Sequence, residues 1–451
     1  MKRILIIGLG KSGAAALKLA AAKGLHASGF DEGSPAEPEN GWGDPEFVSV
    51  VTRFDGGDLP DADLTVISPG IPPESKLAKL ARASNSPIVG ELDFAASFAT
   101  VPMAAVTGTN GKTTVTRMTA AILGGNALPA GNIGLPLSEA VLDETAEALV
   151  VEASSFQLEN APKFSPETAA ILNIAPDHLD RHASLREYAD AKFNILANIR
   201  DPANAILNHS LLGEFDKRFP NAIRPMTFSA ETKDADIHLD TQKRLTSDRL
   251  DLPPLRFPTS AIRGKHDIEN LMAAAALAAP MLTPAELARN LAETAESFEA
   301  PPHRIQLVAE IEGVDFIDDS KATNPAAMEA ALKRFDTPVN LIAGGLGKKL
   351  PFSSLIPLAA KIKKAFLYGE SKNDIEKEWK GEIECETFDS FEAATLAAAK
   401  HSSHGDTVLL SPGCASMDLF ENYKERGLAF QRIANTLKSC GTTFEKEGKR
   451  V

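Results

Sequence analysis

Cysteine is scarce. Three residues in 451, Cys385, Cys414 and Cys440, are too few and too scattered for a disulfide framework or a paired metal knuckle, so a reducing cytoplasm is the expected setting. Long apolar runs are missing as well. Leu271 to Leu282 is Ala-rich, interrupted by Pro280, and shorter than the roughly 20 residues of a membrane span, so no transmembrane helix is expected. Gly8, Gly10 and Lys11 cut the N-terminal run Ile4 to Ile7 too short for a signal peptide, which argues against export. Basic charge is in deficit: 47 Lys and Arg against 61 Asp and Glu give a net charge of −14, with a pI near 5.2. That balance speaks against a duplex nucleic-acid partner and requires local cationic pockets for any anionic ligand. There is no repeat of solenoid period and no low-complexity linker.

What remains is ordinary globular material, 43% apolar and 24% charged, long enough for about three domains at roughly 150 residues each. Residues 2–7 read as a buried strand followed by a Gly-rich turn and a helix from Ala14 to Lys23, the opening of a doubly wound unit that ends near residue 98. A second unit starts with a strand at Met103 to Val106 and a helix reaching Leu123, with further strands at Ala148 to Val151 and Ala169 to Ile174. Pro301-Pro302 marks its end. Strands at Val314 to Ile317, Val339 to Ala343, Lys364 to Leu367 and Thr407 to Leu410 then alternate with helices. The expectation is an α/β chain of three domains: 1–98, Rossmann-like; 99–300, P-loop ATPase-like; and 301–451, Rossmann-like.

Two glycine-rich turns carry phosphate chemistry. Gly108, Thr109, Asn110, Gly111, Lys112, Thr113 and Thr114 combine glycines that admit backbone N–H groups, a helix N-terminus, a cation and hydroxyls for Mg²⁺. The spacing departs from the standard Walker pattern, whose first glycine would fall on Val106; the bland alternative is a turn before a surface helix. Gly8 to Gly13 meets the dinucleotide fingerprint, with Asp31 after the second strand, and taken alone it points to NAD(P). Its physical content is only that a diphosphate can rest on a helix N-terminus. Glu152 closes a strand near the phosphate loop, a suitable place for a Mg²⁺ ligand. For Lys192 alone the reading left open is a solvated helix face, and for His178 alone a structural residue.

Ala105 to Thr114 resembles the ATP-binding loop of the Mur ligases and folylpolyglutamate synthetases, which form amides at the expense of ATP. Asn173 to Arg181, Gly264 to Asn270 and Asp318 to Pro325 match further Mur ligase segments, so the resemblance covers nearly the whole chain. It implies two Mg²⁺ ions, one held by Thr113 and Glu152 and one served by His178 and a carbamylated Lys192. It implies adenine contact by Asn270, where the family usually has Asn in place of Asp267, ribose contact by Asp319, and phosphate contacts by Arg304 and Lys321. Gly10, Lys11, Ser12 and Gly13 would then hold the diphosphate of a UDP-sugar, Asp31 its uracil, and Asn132 and His178 the muramoyl part.

Asp318 to Pro325 and Ser411 to Asp418 resemble the D-glutamate-adding branch of the family most. The amino-acid pocket would consist of Thr323, Ser416, the Tyr423 backbone and a basic residue of Gly344 to Lys349, either Lys348 or Lys349, in a loop lacking the acid common in that branch. Cys414 would be packing. The implied reaction adds D-glutamate to UDP-N-acetylmuramoyl-L-alanine through an acyl phosphate, with Lys112, His178, Lys192 and Lys321 as catalytic residues, ATP as co-substrate and a cytoplasmic monomer as the working form. The rivals are a relative that adds L-glutamate or another acidic amino acid, a non-catalytic UDP-sugar or ATP sensor, and an NAD-dependent oxidoreductase.

Overall fold

The computed structural model describes residues 2–132, 134–179, 181–256 and 264–439; Cys440 and the motif residues Ile133 and Asp180 lie outside them. The chain forms two compact units. One comprises Met1–Ile174 with Arg186–Phe298, the other Ala175–Leu185 with Glu299–Val451.

Among the described residues, the first unit contains three sheets. Strands β1 (Arg3–Ile7), β2 (His26–Phe30), β3 (Val48–Val51), β4 (Leu64–Ile67) and β5 (Ile88–Gly90) form a parallel sheet in the order β3-β2-β1-β4-β5. Strands β6 (Met103–Thr107), β7 (Ala127–Gly131), β8 (Ala148–Glu152), β9 (Thr168–Ile171), β10 (Ala205–Asn208) and β11 (Met226–Phe228) form another, all parallel, in the order β11-β10-β9-β6-β8-β7. A small antiparallel sheet joins β12 (His238–Leu239), β13 (Leu245–Ser247) and β14 (Leu252–Leu255).

The six-stranded sheet is buried on both faces, which explains the unbroken apolar runs of its central strands. Ala104, Val106 and Val150 point to the face covered by helix Lys265–Ala278. Ala105, Leu149 and Val151 point the other way, into a core shared with Ile4, Ile6 and Leu19 of the first sheet layer. Period-two alternation sorts these neighbours to opposite sides. The border expected near residue 98 falls between helix Glu91–Ala96 and β6, within this one compact unit.

The second unit carries β15 (Gln306–Ile311), β16 (Val314–Asp318), β17 (Val339–Gly344), β18 (Ile362–Tyr368), β19 (Cys385–Thr387) and β20 (Thr407–Leu410), ordered β15-β16-β20-β17-β18-β19. Among the described residues of this sheet, only the β15–β16 pair is antiparallel. Leu341, Ala343 and Leu409 face one core, Ile342, Val408 and Leu410 the other.

The strands read from the sequence lie where the structure has them, although the first helix starts at Lys11 rather than Ala14 and β9 stops at Ile171 rather than Ile174; β3, β5, β7, β10 to β15 and β19 carry no signal that the sequence reading picked up. After Ile171, the Leu172 N–H still bonds to the Thr107 carbonyl, but the Asn173 carbonyl and side chain turn to Thr109 and Asn110, ending the ladder. Among the described residues no helix is long and apolar enough to cross a membrane.

Candidate active site

In an open parallel sheet, ligands gather where neighbouring connections leave in opposite directions. Two such places lie in the first unit. After β1, the Gly8 N–H donates to the Phe30 carbonyl at 2.8 Å, and the Ser68 hydroxyl donates to the Gly8 carbonyl at 2.7 Å. A Cβ at Gly13 would lie 1.8 Å from that carbonyl, so only glycine lets helix Lys11–Ala22 start so close to the strand. Gly10 and Lys11 are exposed, and no side chain caps the helix start. Asp31 accepts from the Leu9 and Gly33 N–H groups, each at 2.7 Å, which fixes its carboxylate beside the turn.

The second place follows β6, between β8 and β9. Gly111, at φ 90°, is the residue from which helix Lys112–Leu123 begins, and a Cβ there would come within 2.6 Å of the Asn270 side chain. Asn270 is thus brought to the Gly108 to Lys112 turn. Asn173 pins the loop: its carbonyl accepts from the Thr109 N–H at 3.0 Å, its side-chain oxygen from the Asn110 N–H at 2.9 Å, and its amide donates to the Asn110 carbonyl at 3.1 Å. Lys112 folds back onto the loop, its Nζ donating to the carbonyls of Gly108 at 2.7 Å and Thr109 at 3.0 Å.

Lys192, on helix Leu185–Phe193, joins the same carbonyl. Its Nζ donates to Gly108 at 2.9 Å and stands 4.4 Å from the centre of the Tyr188 ring. It is 1% exposed, which overturns the solvated-face alternative. The helix turns this lysine inward, where an ammonium needs a carbonyl and a π-face to replace water.

Glu152 ends β8 and is 2% exposed. One carboxylate oxygen accepts from the Asn132 amide at 2.8 Å, while Oε2 is buried with no hydrogen-bond partner among the described residues. The Asn132 N–H also donates to the Glu152 carbonyl at 2.8 Å, and a Cβ at Gly131 would be 2.3 Å from that carbonyl. A buried carboxylate oxygen without a donor fits a cation ligand, and no group of three or more His, Cys, Asp or Glu side chains suited to a metal occurs among the described residues. Magnesium suits such sparse protein ligation, because it takes one or two carboxylates and completes its shell with phosphate oxygens and water. Thr113, in the first turn of helix Lys112–Leu123, is half-buried and can supply a hydroxyl.

The second unit assembles the remaining residues. Asp319 is buried beside β20, accepting from the Ser411 hydroxyl at 2.9 Å and the Ile305 N–H at 3.3 Å. Burial pushes its carboxyl up to about 7 against the opposing effects of Ser411 and Arg304. Lys321 Nζ stands 4.0 Å from the centre of the Tyr423 ring, and the Tyr423 carbonyl accepts from the Ser320 hydroxyl at 2.8 Å. His303 Nδ1 lies 2.7 Å from the Asp318 carboxylate. Ser416 is buried and Thr323 half-buried. Between the two candidate lysines, Lys349 is exposed, whereas Lys348 pairs with Asp177 at 2.7 Å. Burial alone would raise the Asp177 carboxyl, but Lys348, His178 and Asn324 outweigh it and hold it below the usual carboxylate range. His178 itself is held at φ 55°, uncommon for a residue with a Cβ.

Cys414 is buried and burial pushes its thiol up to about 11, in keeping with a packing role. Residues given no role in the sequence stand out in space. Asn173 and Asp177 lay inside a recognised segment. Arg426 gave no signal at all: it is fully buried, donating to the Ser320 hydroxyl and carbonyl and to the carbonyls of Cys414 and Ala415.

Comparison with known sequences finds the Mur ligase middle domain over residues 106–278 and the Mur ligase, glutamate ligase domain over residues 303–414. The UDP-N-acetylmuramoylalanine--D-glutamate ligase of Geobacter metallireducens is 38% identical over 448 residues, covering 97% of this chain and 98% of that protein. Among solved structures, a pseudomurein peptide ligase type C from Methanothermus fervidus superposes with a TM-score of 0.60 at 17% identity, covering 97% of this chain and all of the other (100%). A MurF ligase from Thermotoga maritima in complex with ADP gives 0.56 at 16% identity, covering 84% and 96%. These structural likenesses establish the fold.

Proposed function

This chain belongs to the Mur ligase family, and from that membership we propose that it joins D-glutamate to UDP-N-acetylmuramoyl-L-alanine, consuming ATP, in the making of peptidoglycan precursors. Near-complete coverage by a D-glutamate ligase at 38% identity supports this choice over the oxidoreductase and sensor alternatives. The observation that carries the chemistry is the glycine turn at the start of helix Lys112–Leu123, with Lys112 folded over it and Glu152 presenting an unpartnered buried oxygen.

A carboxylate is a poor acyl donor because its leaving group would be an oxide. In the reading proposed here, the alanyl carboxylate attacks the γ-phosphorus of ATP and ADP departs. The D-glutamate amine then attacks the acyl carbon, phosphate leaves, and the amine gives up its proton. Amide, ADP and phosphate result. The loop N–H groups and Lys112 receive the polyphosphate, and Lys321 adds positive charge for the transferring phosphoryl group. Mg²⁺, when bound through Glu152 and Thr113, supplies further neutralisation of that charge. Arg304 and Asp319 take phosphate and ribose, and Asn270 the adenine end. Lys192 as a carbamate would be an anion able to join His178 in serving a second ion.

The division of labour is proposed as residues 1–98 for the UDP-sugar, with Gly10 to Gly13, Asp31 and, from the next segment, Asn132; 99–300 for ATP; and 301–451 for the amino acid, with Thr323, Lys348, Ser416 and Tyr423. The test is ADP release with UDP-N-acetylmuramoyl-L-alanine and a panel of D- and L-amino acids. Turnover confined to D-glutamate is the expected result; preference for L-glutamate or another amino acid would overturn the substrate assignment.

A further inference from the structure

Asp177 sits where three segments of the second unit meet. Its Oδ1 lies 2.7 Å from Lys348 Nζ and accepts from the His178 N–H at 2.9 Å. Its Oδ2 accepts from the Asn324 amide at 3.0 Å. The two partner side chains belong to the loops of the proposed amino-acid pocket. Asn324 follows Thr323 and caps helix Pro325–Leu332 through the Ala327 N–H at 2.8 Å. Lys348 follows Leu346, which is bridged to Ala415 by bonds of 2.9 and 3.1 Å, directly beside Ser416. The ion pair is nearly dry, with side-chain exposures of 16% for Lys348 and 6% for Asp177.

A carboxylate on a lysine, in a pocket read as receiving a carboxylate on that same lysine, is a chemical likeness of the ligand. A second carboxylate brought to Lys348 would meet Asp177 almost at contact, and two like charges so close cannot both be accommodated cheaply. When Lys348 is taken, Asp177 still has the Asn324 amide and the His178 N–H.

We infer that Asp177 is a placeholder anion in the amino-acid pocket: its carboxylate neutralises Lys348 until the side-chain carboxylate of the incoming amino acid takes that cation over, so Asp177 sets the affinity for acidic amino acids. This rests on the reading of Lys348 as the residue that meets that carboxylate. Asp177 acts through Lys348 and is a positioning residue.

The variant Asp177→Asn keeps shape and the acceptor for Asn324 while removing the competing charge. At saturating ATP and UDP-N-acetylmuramoyl-L-alanine, its KM for D-glutamate is expected to fall by about tenfold, the scale of one charge-assisted hydrogen bond. Asp177→Glu, which restores the anion, should return KM toward the unaltered value. A KM unchanged or raised in Asp177→Asn would overturn the placeholder role; a raised KM would make Asp177 a holder of the substrate ammonium or of Lys348 instead. Lys348→Ala separates the two claims, because an unaltered KM in that variant removes the reading of Lys348 itself. In the unaltered protein, crystals with a nonhydrolysable ATP analogue, the UDP-sugar and D-glutamate should show the Lys348–Asp177 contact opened. A pair still closed with glutamate seated elsewhere would overturn the proposal without any mutant.

Discussion

Arg426→Met should destabilise the second unit by about 2–6 kcal/mol, the cost of leaving two buried carbonyl acceptors without their donor. Methionine fills similar volume, so the loss comes from polar groups left behind. Four donations vanish, from 2.8 to 3.2 Å. They do not count equally. The Ser320 hydroxyl keeps its bond to the Tyr423 carbonyl and the Ala415 carbonyl keeps the Leu346 N–H, so both retain a partner. The carbonyls of Ser320 and Cys414 lose the guanidinium donor in a region where Arg426 itself is 0% exposed. Each buried acceptor stranded in this way costs about 1–3 kcal/mol. The sum is a large share of the roughly 5–15 kcal/mol that holds an ordinary domain together. Urea unfolding followed by fluorescence is suited to the measurement, because the chain has two tryptophans, Trp42 in the first unit and Trp379, fully buried, in the second. In a Trp42→Phe background the signal reports the second unit alone. A loss below about 1 kcal/mol would refute the reasoning, showing that water or a rearranged neighbour satisfies those carbonyls. Since Arg426 ties the Ser320 and Ala415 loops together, the KM for D-glutamate should rise as well.

Lys112→Ala should lower ADP formation by about 10²–10³-fold with the fold retained, in line with the loss of one preorganised donor to a developing charge; melting and ADP release check it, and a loss under tenfold would refute the phosphate role. The Asp319 carboxyl, raised from an ordinary 3.8 to about 7, binds its proton more tightly in the folded than in the unfolded chain. Its stability contribution is therefore full below the unfolded value and lost as pH rises through about 7, and Asp319→Asn should flatten that part of the stability–pH curve measured by urea midpoints. Burial pushes the thiols of Cys385 and Cys414 up to about 11, so both should resist iodoacetamide at neutral pH in the native protein and react on unfolding, as read by peptide mapping.

The glycine turn before helix Lys112–Leu123, the strand-end position of Glu152 and the four inner strands of the second unit were legible in the chain because each depends on neighbours in sequence: a buried apolar run, a glycine, a helix start. The same holds for Asp31 and Gly13, fixed by the fingerprint that carries them. Family likeness extended this to residues whose partners are far away. What no local pattern carried was the inward turn of Lys192 onto the Gly108 carbonyl and the meeting of Asp177 with Asn324 and with Lys348 rather than Lys349. Arg426 reads in sequence as one more charge on a helix, and only the fold gives it three buried carbonyls to serve. The amino-acid sequence by itself determined which segments become strands, turns and helices, since those follow from short-range periodicity and backbone freedom. Which charges would be taken out of water, and against what, was decided by tertiary structure, because desolvation and pairing depend on groups that only folding brings within a few ångströms.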